Sequence, residues 1–310
     1  MRPVIAFSHA NGFPAGTYRT LFEAWRTAGF EVIAVERYGH DPHFAVSSNW
    51  PHLRDQLVQF IDQQAQGQPV HLVGHSLGGY LSLLAACRRP DLARSVVLLD
   101  SPVVAGWRAH SVRVMKVGGL LKRFTPGRVS VRRRWQWPSA DAAWHHFAAK
   151  ATFARWQPDV LRDYIAHGTE PDPDAPAVGG VRLAFHRDVE TRIYNTLPHH
   201  LGALLHRHPP QCPVSYIGGT RSAEGRQAGL AATRTLVHER LQWIEGTHLF
   251  PMERPEESAQ AVLKQLAWAS KGGRTNSAAA ADHCKLPSPA IRSGPAAPPC
   301  HRPGGSWCRA

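Results

Sequence analysis

Hydrophobic and polar positions follow two alternating rhythms over the first hundred residues. Short apolar, β-branched runs ("VIAFSHA" 4–10, "FEVIAVE" 30–36, "PVHLVG" 69–74, "SVVLLD" 95–100) read as strands. Between them, large apolar residues fall at helical spacing. In "TYRTLFEAWRTAG" (17–29) these are Tyr18, Leu21, Phe22 and Trp25, and in "WPHLRDQLVQFIDQQ" (50–64) they are Leu53, Leu57, Phe60 and Ile61. Strands that are apolar on both faces and joined through helices predict a parallel sheet covered on both sides.

The rhythm breaks between 102 and 211. "WRAHSVRVMKVGGLLKRF", "DAAWHHFAAKATFARW" and "PDVLRDYIAHG" read as helices, interrupted by "TEPDPDAPAVGG". Alternation resumes with "PVSYIGG" (213–219), "AGLAATRTL" and "LQWIEG" (241–246). A last helix, 255–270, carries Glu256 and Glu257 where they suit its N-terminal dipole. The pattern predicts a core built from 1–101 and 212–270 and a mainly helical insertion over 102–211. Residues 271–310 are rich in Ala, Pro, Gly and Ser, without periodicity; they bury too little surface to offset ordering entropy, and a disordered tail is expected.

Composition narrows the function classes. Lys plus Arg exceed Asp plus Glu by 36 to 23, a net charge of +13. That excess admits nucleic acid or an anionic surface as a partner. However, the arginines are dispersed, with one tight run at Arg132, Arg133 and Arg134, and no zinc-finger spacing, RNP motif or basic heptad array is present, so no nucleic-acid partner is expected. Five scattered cysteines with no C-x-x-C pair argue against a disulfide scaffold or a zinc site. The N-terminal run moves straight into a strand without a signal-peptide pattern. No apolar run approaches the roughly 18 residues of a transmembrane helix, so a cytoplasmic protein is expected.

The chemistry concentrates in "VHLVGHSLGGYLSLLAA" (70–86), a G-x-S-x-G motif between a strand and a helix. In so tight a turn the central Ser76 is forced into strained backbone geometry with its hydroxyl above the sheet, while Gly74 and Gly78 lack the Cβ atoms that would clash. The helix that follows aims its N-terminal amides at the place where an oxyanion would form. An ordinary turn serine is the plain alternative, and the strand–turn–helix context weighs against it.

With "SHANGFP" after the first strand, "GHSLGG" at the turn and "GTHLFPMERPEE" near the end, residues 3–270 resemble the α/β-hydrolase family. The resemblance implies an α/β-hydrolase fold with a mostly parallel sheet. That sheet is expected to have about six strands, because the family's leading antiparallel strands are missing, and the insertion becomes a cap. It also assigns roles: Ser76 as nucleophile, His248 as its base, and the backbone amides of Leu77 and Phe13 as the oxyanion hole. His75, on the turn itself, would point the wrong way. His145, His146, His199, His200, His206 and His208 lie in the insertion, where surface or pocket roles fit better than a metal site.

The third member of the triad stays open. Most members of the family carry the acid after the strand that here is "PVSYIGG", but the position expected for it holds Ser222, which cannot supply a charge. Asp100, at the end of "VVLLD", is the leading candidate, with Ser222 as a supporting fourth member. Glu224 is the alternative, and another acid such as Asp188 a third. Asp100 as a helix N-cap before Pro102 is the structural reading of the same residue.

A serine nucleophile at this turn implies acyl transfer from a small-molecule ester or thioester to the serine and then to water, without metal or organic cofactor. A carboxylesterase or thioesterase leads. Carbon–carbon bond or lactone hydrolysis and cofactor-free peroxidation on the same triad are alternatives, and a non-catalytic or anionic-surface-binding protein is a further one. Trp107, Trp135, Trp137, Trp144 and Trp156 in the insertion either line an acyl pocket or pack its core.

Overall fold

The computed structural model describes residues 2–104, 127–175 and 178–271. Trp107, the helix read over its neighbours and the 272–310 tail lie outside them.

Six parallel strands form the main sheet: β1 (Val4–Ser8), β2 (Glu31–Ala34), β3 (Val70–His75), β4 (Ala93–Leu99), β8 (Val214–Gly219) and β9 (Leu241–Ile244), in the order β2-β1-β3-β4-β8-β9. The sheet is entirely parallel in its pairings, as the doubly apolar runs require. Successive side chains point to opposite faces. Val4 and Ala6 of β1, Leu72 of β3 and Leu98 of β4 join one buried cluster, whereas Ile5, Phe7, Val73 and Leu99 join the other.

Helices cover both faces. α2 (Pro51–Gln64) presents Leu53, Leu57 and Ile61 to the first cluster, with Phe60 partly buried beside them. α3 (Leu77–Arg88) lies on the same face and is apolar almost all round, as a helix packed on several sides must be. α1 (Arg19–Thr27) and α12 (Pro255–Ser270) lie against each other over the second cluster. There Trp25 is completely buried and donates its indole N–H to the carbonyl of Ala259 at 3.2 Å. Trp25→Ala therefore removes a large packed ring and a buried hydrogen bond together. Urea unfolding of this variant is expected to show a loss of about 3–5 kcal/mol.

Between β4 and β8 the described chain holds α4 (Gly127–Arg132), α5 (Ala140–Ala148), α6 (Pro158–Gly168), α7 (Arg187–Asn195) and α8 (Leu201–Arg207). It also holds a three-stranded antiparallel sheet of β5 (Gln136–Trp137), β6 (Thr169–Pro171) and β7 (Val181–Leu183). Strands of two or three residues are too short to show a period of two, so this sheet leaves no pattern in the sequence. Trp137 and Trp156 are buried with Phe147, Phe153 and Tyr164, which makes them packing residues of this segment. Within the arginine run, Arg132 and Arg134 are exposed and the middle residue is not. Arg133 turns inward, pairing with Glu190 at 2.8 Å and donating to the Tyr164 hydroxyl at 2.9 Å.

Beyond β8 come α9 (Ala223–Ala228), α10 (Ala231–Val237) and, after β9, α11 (Phe250–Glu253). Among the described residues no helix is long and apolar enough to cross a membrane.

Candidate active site

Ser76 sits between the last residue of β3 and the first of α3 with φ 52° and ψ −114°, a region that residues other than glycine rarely occupy. Two neighbours make the conformation affordable. A Cβ on Gly74 would lie 2.2 Å from the backbone of Gly78, and one on Gly78 would lie 1.9 Å from the carbonyl oxygen of Ser8. Only hydrogen fits at both places. The Ser101 hydroxyl braces the turn from below by donating to the Ser76 carbonyl at 2.9 Å.

The loop after β9 brings His248 over this turn. Its Nε2 lies 2.9 Å from Ser76 Oγ and its Nδ1 lies 2.7 Å from Asp100 Oδ2. The loop is held in place by Glu253, whose carboxylate accepts from the Thr247 backbone N–H at 3.0 Å and from its hydroxyl at 2.6 Å. Nothing in the "GTHLFPME" motif had marked that role.

Asp100 ends β4 in a positive-φ conformation (44°), and its own N–H donates to Ile217 at 2.8 Å. Its carboxylate is buried and fully occupied. Oδ2 accepts from Ser222 Oγ at 2.5 Å and from His248; Oδ1 accepts from the Gly219 N–H at 3.0 Å and the Tyr216 hydroxyl at 3.2 Å. Four donors meet roughly four lone-pair directions, so the charge stays put. Burial alone would push the Asp100 pKa up. The hydrogen bond and charge of His248, helped by Ser222 and Gly219, outweigh it and hold the pKa below the usual carboxylate value. For His248, burial opposes protonation, but the bond to Asp100 and its charge prevail and raise the pKa above the ordinary imidazole value.

The remaining acids take other places. Glu224 is exposed in the first turn of α9, near His248 but without the Nδ1 hydrogen bond. Asp188 is exposed in the first turn of α7, lining a separate groove with Trp135, Arg182 and Arg192. Among the described residues, the group of His, Cys and acidic side chains clustered closely enough to hold a metal is Asp100, Glu224 and His248, the same residues again.

The two amides assigned to the oxyanion hole differ. Leu77 is the first residue of α3, so its N–H has no intrahelical acceptor. The Phe13 N–H already donates to the Ala10 carbonyl at 3.1 Å, across a turn in which Gly12 has φ 84°. This loop is clasped by the inserted segment. The Asn11 side chain donates to the Glu190 carbonyl at 3.0 Å, a Cβ on Gly12 would meet the Glu190 carboxylate at 3.1 Å, and the Phe13 ring lies 5.6 Å from both Trp156 and Tyr164.

Both ring nitrogens of His75 are engaged by groups other than the Ser76 hydroxyl. Its Nε2 donates to the His248 carbonyl at 2.8 Å, and its Nδ1 accepts from the Tyr18 hydroxyl at 2.8 Å. The same hydroxyl accepts the Ala10 N–H at 3.1 Å. One buried chain of hydrogen bonds thus ties the loop after β1 to the backbone of the histidine loop. Burial, together with the nearby His248, pushes the His75 pKa down to about 3, so the ring is neutral.

Residues 5–261 match the model of a family described as "Alpha/beta hydrolase family". The chain belongs to the alpha/beta hydrolase family. Among curated relatives, this α/β hydrolase is 24% identical over 258 residues to "Ethanol acetyltransferase 1" of Kluyveromyces lactis, a match covering 75% of this chain and 63% of that protein. It is 28% identical over 131 residues to "Monoglyceride lipase" of Rattus norvegicus, covering 40% and 43%. The match therefore spans under two thirds of either relative. Among solved structures, E-2-(acetamidomethylene)succinate hydrolase superposes with a TM-score of 0.64 at 24% identity, over 84% of this chain and 90% of that one. The thioesterase domain from the curacin biosynthetic pathway gives 0.60 at 18% identity, over 84% and 91%. At these identities the structural likeness speaks for the fold.

Proposed function

We propose that this α/β hydrolase cleaves carboxylic ester or thioester bonds of a small-molecule acyl substrate through an acyl-enzyme at Ser76. The observation that carries the reading is the unbroken relay from Ser76 Oγ to His248 Nε2 at 2.9 Å and from His248 Nδ1 to Asp100 at 2.7 Å. With Nδ1–H donated to Asp100, Nε2 is free to take the serine proton as Oγ attacks the acyl carbonyl. Asp100 then stabilises the imidazolium, and Ser222, Tyr216 and Gly219 hold Asp100. The developing oxyanion is received by the Leu77 N–H at the positive end of α3 and by the Phe13 N–H, which takes part as a donor shared with Ala10. His248 returns the proton to the leaving group and, in the second half, activates the water that releases the acid. On this reading 102–211 acts as a cap over a core of 1–101 and 212–270.

The test is a p-nitrophenyl ester series of increasing acyl length. A burst of p-nitrophenol and stoichiometric fluorophosphonate labelling of Ser76 are expected. A protein that neither labels nor turns over any member would end the proposal.

A second acceptor is worth measuring because of the likeness to a protein named as an ethanol acetyltransferase. Running the same esters with ethanol present, and counting ethyl ester against free acid, separates alcoholysis from hydrolysis at the same acyl-enzyme.

A further inference from the structure

His248 faces two carboxylates. An oxygen of Asp100, an oxygen of Glu224 and a ring nitrogen of His248 all lie within 4.8 Å of one another. The two acids differ in every other respect. Asp100 is buried and saturated with donors; Glu224 is exposed, and among the described residues no arginine or lysine forms an ion pair with it.

Ser222 accounts for the placement. Its Oγ accepts from the Gly225 N–H at 3.0 Å, capping α9, while its hydroxyl hydrogen goes to Asp100. One side chain therefore docks the first turn of α9 against the buried acid, and the residue two positions on comes within reach of the imidazole. An acid in a first turn is commonplace as a partner of the helix dipole. That account leaves unexplained why this turn is fastened to the triad itself.

The other groups around His248 do not cancel the second charge. From β3 comes the His75 ring at 5.1 Å, which is neutral, together with Ser76. From β4 comes Asp100, and from the start of α9 come Ser222 and Glu224. In its own loop, Thr247 is engaged by Glu253. Among the described residues the imidazole thus sees two anions and no cation.

We propose that Glu224 is an electrostatic positioning residue for His248: from the solvent side it stabilises the imidazolium formed when Ser76 gives up its proton, and it makes that stabilisation sensitive to ionic strength. The buried Asp100 fixes the ring and its tautomer, while the exposed Glu224 sets how readily the ring holds a proton. The inference rests on the reading of His248 as the base.

The test reads the ring directly. The full chain is labelled with 13C-histidine, the His248 resonance is assigned by its loss in His248→Asn, and its pKa is followed in wild type, Glu224→Gln and Glu224→Asp. Charges about 5 Å apart at an effective dielectric between those of protein and water predict a fall of about 0.5–1 pH unit in Glu224→Gln at low salt. That difference shrinks at about 1 M sodium chloride, where the screening length falls to about 3 Å. Glu224→Asp keeps most of the wild-type value, and the acid limb of fluorophosphonate labelling moves with the NMR midpoint. An unchanged midpoint at low salt overturns the proposal, and so does a fall that persists undiminished at high salt. The titration needs no turnover, so a protein that failed to label would refute the hydrolase reading while the role of Glu224 was still decided by the NMR midpoints.

Discussion

Asp100→Asn is expected to lower kcat on p-nitrophenyl esters by about 10⁴-fold with little change in KM, stability or overall structure. The side chain keeps its shape: its oxygen at the Oδ1 position still accepts from Gly219 and Tyr216, while the NH₂ at the Oδ2 position donates to Ser222 Oγ instead of accepting from it. What changes is the proton on His248. An amide NH₂ turned toward Nδ1 makes that nitrogen an acceptor and moves the ring hydrogen to Nε2. Nε2 then can no longer take the proton from Ser76, 2.9 Å away. The loss falls on the chemical step, whereas a folding defect would move KM and the unfolding midpoint too. Ser76→Ala should cost as much or more, and the double variant little beyond the single ones, because the residues act as one unit. Asp100→Asn within tenfold of wild type would mean that another group orients His248. The triad assignment would then need to be withdrawn.

Where the sequence was informative, each element carried its own signal. The main strands and α2, α6 and α12 stand within a residue or two of their expected limits because apolar periodicity is a local property. Ser76 and His248, which the fold brings within 2.9 Å of each other, lie in loops that sequence motifs mark. The choice among Asp100, Glu224 and Asp188 was not legible, since it depends on which strand end lies beside the histidine loop. The hydrogen bond that distinguishes them joins residues 148 apart. Nor could the sequence show that Arg133 is internal, that Glu190 presses on Gly12, or that Asn11 reaches a carbonyl 179 positions away. Tyr18, Tyr216 and Glu253 looked like ordinary core or helix residues. Their hydroxyl and carboxylate partners are fixed only by the packed sheet. The Phe13 N–H shows the converse: a motif singles out the residue, while the turn bond its N–H makes to Ala10 belongs to the three-dimensional loop.

Acid should begin to destabilise this protein above the range in which its carboxylates titrate. Three histidines are held neutral in the interior. Desolvation by burial, the largest influence on each, depresses His9 and His71 to about 4 and His75 to about 3. Their hydrogen bonds fit the neutral form. His9 donates from Nδ1 to Ala10 at 2.8 Å and accepts the Tyr38 N–H at Nε2, so a second ring proton would face another donor. His75 is in the same position against the Tyr18 hydroxyl, which is already accepting from Ala10. In the unfolded chain all three titrate near 6.5. Their stabilising effect is therefore complete above that pH. With the half-buried His40, which burial also depresses to about 4, unfolding takes up about three protons as pH falls between about 6 and 4, and stability drops by about 4 kcal/mol per pH unit. His248, whose pKa is raised in the folded state, does not add to this loss. Two pH units thus remove about as much as the whole stability of an ordinary domain. Urea unfolding followed from pH 7 to pH 4.5 should show a steep linear loss, and His71→Gln should reduce its slope by one proton. Stability that stayed flat down to pH 5 would mean that these rings are not held neutral in the folded state.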